Sequence, residues 1–234
     1  MGVAVLQARL VESREIAPEV RHFVFEVPEV EQLPYLPGQF VSFSGVINEK
    51  KITRAYSTAS APDRNRFEIC LNRVHDGCFS PYLFEMRPGA TVDMKGPLGH
   101  FVLKTPVSDS IFVATGTGIA PFRSMLHAHL ESNPDRQFTL VFGVRFESSL
   151  LYRAEFEQLA RDYPNFRFLP TLSRPDENWS GLKGHVQQHV FDTLGSRLDM
   201  DVYICGLKAM VDDVRAKLKE LGLDRRQIVF EKYD

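Results

Sequence analysis

The sequence predicts two domains, an antiparallel β-barrel or sandwich followed by a doubly wound α/β domain with a parallel sheet. The length of 234 residues suits one large domain or two of modest size. The first hundred residues contain short apolar runs separated by turn signals, and from Ser110 apolar strands alternate with amphipathic helices. A linker near residues 103–109 gives predicted domains at 1–103 and 108–234.

Short runs with alternating polarity predict the strands of the first domain. They are Val3 to Val11, His22 to Val27, Gln39 to Phe43 and Arg66 to Val74. Turns rich in Pro and Gly separate these runs, and strands at this spacing are typical of an antiparallel barrel or sandwich. One helix is predicted to begin at Ser80-Pro81, with Ser80 as its capping hydroxyl and Pro88-Gly89 after its end.

Continuous apolar runs, which are typical of buried parallel strands, predict the sheet of the second domain. The strands are Ile111 to Ala114, Phe138 to Phe142, Phe166 to Leu169, Val202 to Cys205 and Ile228 to Phe230. The helices are Phe122 to Leu130, Tyr152 to Arg161 and Lys208 to Leu221. Their alternation predicts a parallel sheet covered on both faces.

Composition argues against several classes of protein. The formal net charge of -2 does not favour binding to nucleic acid or to a membrane surface. No apolar run reaches the roughly 20 residues of a membrane span, and the start at Met1 lacks a signal pattern, so a cytoplasmic location is expected. The three cysteines, Cys70, Cys78 and Cys205, form no C-x-x-C pair, so we expect no metal site and no built-in iron–sulfur cluster.

The segment Thr115 to Pro121 lies where the first parallel strand meets the first helix. Glycines at such a junction let the backbone approach a phosphate, although a G-x-G alone is weak evidence. A third glycine is absent, and Arg145 follows the second strand where an acidic residue would bind a ribose diol. The adenosine end of a dinucleotide must then be held differently. Ser173-Arg174 suits a ribose phosphate, with an exposed turn as the alternative.

Cys205-Gly206 ends the fourth parallel strand. Ligands of open α/β sheets bind at this carboxyl edge. A lone buried cysteine is, however, more often inert packing than part of a site.

The segment Arg54-Ala55-Tyr56-Ser57-Thr58 places a cation, an aromatic face and two hydroxyls in a strand-like stretch. Alternation predicts Arg54, Tyr56 and Thr58 on one side of the strand. Such a strand offers a cation to a pyrophosphate, a flat surface to a ring and the Ser57 hydroxyl to a ring nitrogen. Taken alone, the motif is equally consistent with an ordinary polar strand.

Six motifs occur in a fixed order along the chain. They are Arg54-x-Tyr56-Ser57, Gly77-Cys78-Phe79-Ser80, Gly96-Pro97-Leu98-Gly99, Gly116-Thr117-Gly118-Ile119-Ala120-Pro121, Cys205-Gly206 and Phe230-Glu231-Lys232-Tyr233. Together they resemble the ferredoxin–NADP reductase family, which includes the reductase components of bacterial oxygenases. The resemblance runs from the turn at Pro37 to the last residues.

The resemblance implies a six-stranded antiparallel FAD barrel followed by a nicotinamide dinucleotide domain. In the barrel, Arg54 would hold the FAD pyrophosphate, Tyr56 would pack against the isoalloxazine and Ser57 would lie near its reactive nitrogen. The other FAD contacts implied are Ala55, Leu71, Asn72, Gly77, Cys78, Phe79 and Ser80.

In the second domain, the implied contacts to NADP, or to NAD, are Thr115, Gly116, Thr117, Gly118, Arg145, Ser173, Arg174, Cys205 and Gly206. Glu231 matches the family's active-site glutamate. Tyr233 matches the aromatic residue that covers the flavin, although Asp234 follows it here. The implied catalytic residues are Ser57, Cys205, Glu231 and Tyr233.

The implied activity is hydride transfer between NADPH, or NADH, and FAD, followed by transfer of single electrons to a separate ferredoxin, flavodoxin or oxygenase component. Ser173-Arg174 favours NADPH. A free-flavin or ferric reductase, a non-catalytic electron-transfer subunit and a flavin-free nucleotide-binding scaffold remain alternatives. A set of cations offers a surface for an acidic partner, although such charges are commonly only solvated. The set is Lys50, Lys51, Arg54, Arg64 and Arg66.

Overall fold

A computed structural model of the chain describes residues 4–233. They divide into two compact units, Met1–Val102 with Arg123–Ala128, and Leu103–Phe122 with His129–Asp234. The start of the first predicted strand at Val3 and the terminal Asp234 lie outside the described residues. The domain boundaries at 103 and 108 stay a prediction.

The first unit is built on a six-stranded antiparallel sheet with the order β4-β3-β6-β1-β2-β5. Its elements are β1 (Leu6–Ala17), β2 (Val20–Glu26), β3 (Phe40–Ile47), β4 (Lys50–Ser57), β5 (Arg66–Asn72), α1 (Phe79–Glu85) and β6 (Thr91–Leu98). The two outer strands, β4 and β5, contact each other, so the sheet closes into the predicted barrel.

Phenylalanine fills the barrel. Phe25 lies with its ring 5.0 Å from that of Phe43 and 5.7 Å from that of Phe67, and all three are fully buried. Each aromatic pair stabilises the core by about 0.5–1.5 kcal/mol beyond the burial of its area. The interior is therefore packed with side chains, and a ligand must bind on its outside.

Two local expectations in this unit are wrong. Helix α1 begins at Phe79 with Cys78 as its cap residue, and Ser80 is not the cap: its hydroxyl accepts the N–H of Val74 at 2.9 Å. Strand β4 ends at Ser57, so the alternation does not reach Thr58. Thr58 is fully buried, and its N–H and hydroxyl both donate to the Gln39 carbonyl at 2.9 Å.

The second unit is built on a six-stranded parallel sheet with the order β10-β9-β8-β7-β11-β12. Its strands are β7 (Ser110–Thr115), β8 (Phe138–Val144), β9 (Phe166–Leu172), β10 (Leu182–Lys183), β11 (Asp201–Leu207) and β12 (Ile228–Tyr233). The helices that follow β7 in the chain are α2 (Ala120–His129), α3 (Arg153–Asp162), α4 (Val186–Leu194) and α5 (Lys208–Glu220).

Alternate residues of the central strand face different helices. Ile111 and Val113 of β7 belong to a core with α4 and α5. Phe112 between them packs on Phe122 of α2, with ring centroids 5.2 Å apart. The sheet is therefore covered on both faces, which confirms the doubly wound prediction.

Helix α4 was not predicted, although its buried residues Val186, Val190 and Leu194 have helical spacing. Its cap residue, His185, makes no side-chain capping bond, and no polar cap therefore marks its start. Across residues 4–233, no helix is long and apolar enough to cross a bilayer. The longest helix, α5, has 13 residues and a length of about 20 Å.

Candidate functional site

Strand β4 carries the first motif, whose residues differ in exposure. Arg54 and Ala55 are exposed, Tyr56 is half-buried and Ser57 is buried. The Arg54 guanidinium donates to the Thr53 carbonyl at 2.8 Å, and no carboxylate within residues 4–233 pairs with it. An exposed guanidinium with most of its donors unused is suited to a phosphate or pyrophosphate.

The Tyr56 ring forms a neutral flat surface next to this cation. It packs 5.6 Å from Phe43 and 6.5 Å from Phe79, nearly parallel to the latter at 26°. Burial raises the pKa of the Tyr56 phenol well above its usual value, and the nearby Arg54 offsets this only in part. The phenol therefore stays neutral to a higher pH than an ordinary tyrosine.

The end of β4 is held next to the turn that precedes β3. Ser57 pairs with Phe40 in the ladder, and Gln39 binds Thr58 as described above. Gly38 in this turn has φ +99°, and a Cβ on it would collide with the Phe101 carbonyl, so the turn requires glycine. This packing fixes where Arg54, Tyr56 and Ser57 lie.

The predicted contacts at the end of β5 and at the start of α1 divide into two kinds. Leu71 and Phe79 are 4% and 2% exposed and lie in the barrel core, so only their backbones can reach a ligand. Asn72 is exposed, and Gly77 and Cys78 are half-buried. A ligand along this edge would therefore be held mainly by main-chain groups and by Asn72.

In the second unit, β7 leads into a 3-10 turn at Gly116–Ile119 and then into α2. Gly116 has φ +54°, and a Cβ there would meet nothing within 4 Å. The turn therefore leaves open space at the residue where a phosphate would approach the backbone.

The same turn is locked against the end of β11. A Cβ on Gly118 would collide with the Cys205 carbonyl, and one on Gly206 would collide with the Thr115 hydroxyl. The Leu207 N–H donates to Thr115 Oγ1 at 3.2 Å. Gly118, Gly206 and Thr115 thus hold the Gly116–Ile119 turn against the end of β11, and this packing does not follow from spacing along the chain.

Strand β12 aligns the remaining candidates beside β11. Cys205 is in register with Glu231, and Leu207 is in register with Tyr233. Cys205 is fully buried, whereas Glu231 and Tyr233 are half-buried. All lie at the carboxyl edge of the parallel sheet, which is where the sequence predicts a ligand.

The loops after β8 and β9 bring the two predicted arginines together. Ser173 N–H donates to the Val144 carbonyl at 3.0 Å, and Arg174 N–H donates to the Arg145 carbonyl at 2.9 Å. Both guanidinium groups are exposed, and neither pairs with a carboxylate in the described part of the chain. Two adjacent free cations are suited to a phosphate group.

A cleft of about 690 Å³ opens beside these arginines. It is lined by Phe146, Glu147, Ser148, Arg174, Pro175 and Asp176. The sequence analysis did not identify Phe146, which is 47% exposed despite being a large apolar residue. An aromatic residue directly after a strand end was the available signal, and its flat face suits a base.

The predicted surface for an acidic partner is not a single cluster. Lys50 and Lys51 begin β4, whereas Arg64 and Arg66 follow the loop that leaves its other end. Strand β4 rises about 23 Å from Lys50 to Ser57, so the lysines and the loop that leads to Arg64 lie at opposite ends of it. In addition, Arg66 lies 3.8 Å from the carboxylate of Glu26.

Comparison with known proteins identifies both units. Residues 7–103 match the family model of the oxidoreductase FAD-binding domain, and residues 112–216 match that of the oxidoreductase NAD-binding domain. The chain is 41% identical to ferredoxin–NADP reductase B of Sorangium cellulosum over 238 residues, 97% of each chain.

Two further known proteins are similar to this chain over nearly its whole length. Phenol hydroxylase P5 protein of Acinetobacter pittii is 31% identical over 97% of this chain, which spans 65% of that protein. The crystal structure of a ferredoxin NADP+ reductase from Neisseria gonorrhoeae with bound FAD and NADP is 25% identical, with a TM-score of 0.83 over 99% of both chains.

Proposed function

Because this chain belongs to the ferredoxin–NADP reductase family, with an FAD-binding and an NAD-binding domain, we propose that NADPH is its hydride donor and a small redox protein its electron acceptor. It is an FAD-dependent NAD(P)H oxidoreductase that passes electrons to a separate partner. The observation that carries this conclusion is the 41% identity to a ferredoxin–NADP reductase over 97% of both chains. Ferredoxin, flavodoxin and an oxygenase component are the proposed classes of acceptor.

The first unit is proposed to bind FAD along β4. The unpaired guanidinium of Arg54 supports a contact to the pyrophosphate, and the neutral ring of Tyr56 supports packing against the flavin. Ser57, at the buried end of the strand, is proposed to orient the reactive edge of the flavin. When bound, FAD supplies the chemistry of accepting a hydride and releasing electrons singly.

The second unit is proposed to bind the nicotinamide dinucleotide at the carboxyl edge of its sheet. The open space at Gly116 supports a phosphate contact, whereas the packing of Thr115 and Gly118 supports a role in holding the turn. Cys205 and Glu231 are proposed to orient the nicotinamide, and Tyr233 is proposed to cover the flavin until the nicotinamide replaces it.

A cytoplasmic location is also proposed. All three cysteines lie within the described residues, and none forms a disulfide. Cysteines that form no disulfide are usual in a reducing compartment.

Replacing Arg174 with alanine is expected to lower kcat/KM for NADPH by about 10- to 100-fold, because a charge-assisted bond contributes about 1.5–3 kcal/mol. NADH lacks the 2′-phosphate on the adenosine ribose. The kcat/KM of the variant for NADH should therefore change less than about twofold. Steady-state kinetics with both cofactors measure this. Arg167→Ala is the matched control, because Arg167 is also an exposed arginine and lies on β9. Unchanged use of NADPH by Arg174→Ala would contradict the assignment of the phosphate.

Gly116→Ala is expected to raise KM for NADPH by about 10-fold or more, because the added carbon fills the space left for a phosphate. Gly195→Ala is the control, since Gly195 also has a positive φ, +56° against +54° at Gly116, and an added carbon meets nothing within 4 Å at either position. Both variants should lose stability, because side chains other than glycine rarely adopt a positive φ. Thermal unfolding measures that loss, and steady-state kinetics should show a raised KM in Gly116→Ala alone; equal KM values would count against a phosphate at Gly116.

The visible spectrum of the purified protein tests the proposed function, followed by anaerobic addition of NADPH and of NADH. We expect a yellow protein whose flavin absorbance is bleached by NADPH. A colourless, well-folded protein would favour a flavin-free scaffold and refute the proposal. A yellow protein that neither nicotinamide bleaches would indicate a non-catalytic subunit, and flavin that dissociates on reduction would indicate a free-flavin reductase.

A further inference from the structure

The cleft beside Arg174 contains carboxylates as well as a cation. Glu147 and Asp176 are among its six lining residues, and Arg174 is the only cation among them. Like charges repel, so two free carboxylates would disfavour the phosphate that Arg174 is proposed to bind. The charge of this cleft therefore depends on which of its acids are paired.

Glu147 is paired with Arg153, the first residue of α3. Arg153 Nη1 donates to Glu147 Oε1, and Arg153 Nε donates to Glu157 Oε1 at 2.7 Å. Hydrogen bonds to Glu157 first, and to Glu147 second, raise the pKa of the Arg153 guanidinium above its ordinary value. Glu157 does not line the cleft. Arg153 therefore compensates the Glu147 charge where that charge faces the cleft.

Arg153 is also held by Trp179. Its Cζ lies 5.3 Å from the centroid of the Trp179 ring, within the range of a cation–π contact. Trp179 is 6% exposed, and its Nε1 donates to the Leu182 carbonyl at 2.8 Å. A Cβ on Gly181 would lie 2.5 Å from the same ring, so the chain closes tightly around Trp179. Arg153 thus joins the segments after β8 and after β9, which are the two that line the cleft.

Asp176, the other acid of the cleft, is not compensated in this way. Its Oδ1 accepts the N–H of Asn178 at 3.0 Å, and no cation within residues 4–233 pairs with it. Arg174 and Asp176 bring opposite charges to the cleft. Whether the cleft is neutral or negative is therefore decided by the pairing of Glu147.

A free Glu147 would favour a different ligand. It lies three residues after the end of β8, the second strand of the domain in chain order. An acidic residue after the second strand of a dinucleotide-binding fold accepts hydrogen bonds from the ribose hydroxyls of NAD. A carboxylate without its guanidinium partner would thus accept a ribose diol and repel a ribose phosphate.

We propose that Arg153 is a positioning residue that sets the preference for NADPH over NADH by holding Glu147 in an ion pair, an inference that rests on the proposed function. Arg153 does not contact the cofactor in this proposal. It removes the repulsion that Glu147 would exert on the phosphate bound by Arg174.

The test is Arg153→Met, which removes the charge and keeps most of the stem of the side chain. Calorimetric titration of the holoenzyme measures the Kd of adenosine 2′-monophosphate and of adenosine 5′-monophosphate. We expect binding of the 2′-phosphate probe to weaken by about 10-fold, and that of the 5′-phosphate probe to change less than about twofold. In steady-state kinetics, the ratio of kcat/KM for NADPH to that for NADH should fall by about 10-fold.

Glu147→Gln separates this role from a structural one. Added to Arg153→Met, it should restore binding of the 2′-phosphate probe to within about threefold of the unmodified enzyme, and it should have much less effect with Arg153 present. Arg153→Lys, which keeps the charge, should also bind this probe within about threefold. Loss of loop structure alone would weaken both probes together, and Glu147→Gln would not reverse it.

Arg161→Met is the matched control, because it makes the same substitution on the same helix at a residue whose guanidinium donates to Gln158. It should bind both probes as the unmodified enzyme does. If Arg153→Met does not fold, Arg153→Gln, which keeps a hydrogen-bond donor but no charge, is the test variant and the same fall is expected.

Three results would overturn the proposal. They are unchanged binding of the 2′-phosphate probe without the Arg153 charge, an equal loss in Arg161→Met, and a loss that Glu147→Gln does not reverse. Failure of the unmodified enzyme to bind this probe would also overturn it, and would leave hydride transfer from NADH intact. If neither nicotinamide bleaches the flavin, the proposed function fails, and the titrations still measure the effect of Arg153 because they need no turnover.

Discussion

Replacing Arg54 with methionine is expected to weaken FAD binding by roughly 2–4 kcal/mol, or about 30- to 1,000-fold in Kd. The reason is the state of its guanidinium, which is exposed and, among residues 4–233, donates only to the Thr53 carbonyl. A cation held within a strand but left without a carboxylate partner is available to a pyrophosphate. Removing it leaves two phosphate charges without their partner, while the long apolar part of the side chain is retained.

The measurement is the FAD content after extensive dialysis, followed by titration of the apoprotein with FAD by flavin fluorescence. Lys51→Met on the same strand is the control, because Lys51 is exposed and lies outside the motif. We expect the control to stay yellow with an unchanged Kd. Full retention of FAD by Arg54→Met would exclude the pyrophosphate contact.

Replacing Gly118 with alanine is expected to lower kcat/KM for NADPH by about 100-fold while FAD content is unchanged. The added carbon would overlap the Cys205 carbonyl and lie 2.7 Å from the Cys205 carbonyl carbon and 2.8 Å from the Gly206 Cα. These neighbours are backbone atoms that cannot rotate away. The turn and the end of β11 must separate, and a displacement of about 1 Å at a reacting centre costs about that factor in rate.

Gly45→Ala on β3 is the control for this change, because its added carbon meets only the Phe79 ring at 3.5 Å. If Gly118→Ala does not fold, Thr115→Val tests the same packing. This change removes the acceptor of the Leu207 N–H and keeps the shape of the side chain. Loss of that bond should lower kcat/KM by about 5- to 30-fold, and Thr115→Ser should restore it. Normal NADPH turnover in Gly118→Ala or Thr115→Val would show that the packing is not needed.

Polarity patterns predicted most of the fold because burial differs between the two sheets. Strands buried on one face alternate, as in β1 from Leu6 to Leu10, and strands buried on both faces are continuously apolar, as in β7. Helix α4 was missed because its apolar residues are separated by polar ones and its start lacks a polar cap. Ser80 was wrongly predicted as the helix cap, because the sequence alone does not show that its hydroxyl accepts the N–H of Val74 in the preceding loop.

The candidate site could be predicted only in part. Local motifs indicated Arg54, Tyr56 and the turn around Gly116 as candidates, because a phosphate or ring site needs those residue types next to one another, and their roles stay predictions. Contacts between distant segments were not predictable, since they depend on which strands become neighbours. Examples are the contact of Gly118 with Cys205 and the packing of Arg153 on Trp179.

The pairing of the Arg145 and Arg174 loops has a consequence for evolution and engineering. The bond that joins them runs between main-chain atoms, so it does not depend on either side chain. Both side chains are exposed and contribute little to the core. On the proposed assignment of Arg174 to the phosphate of NADPH, single substitutions at these positions would change the preference between the two nicotinamide cofactors at almost no cost in stability.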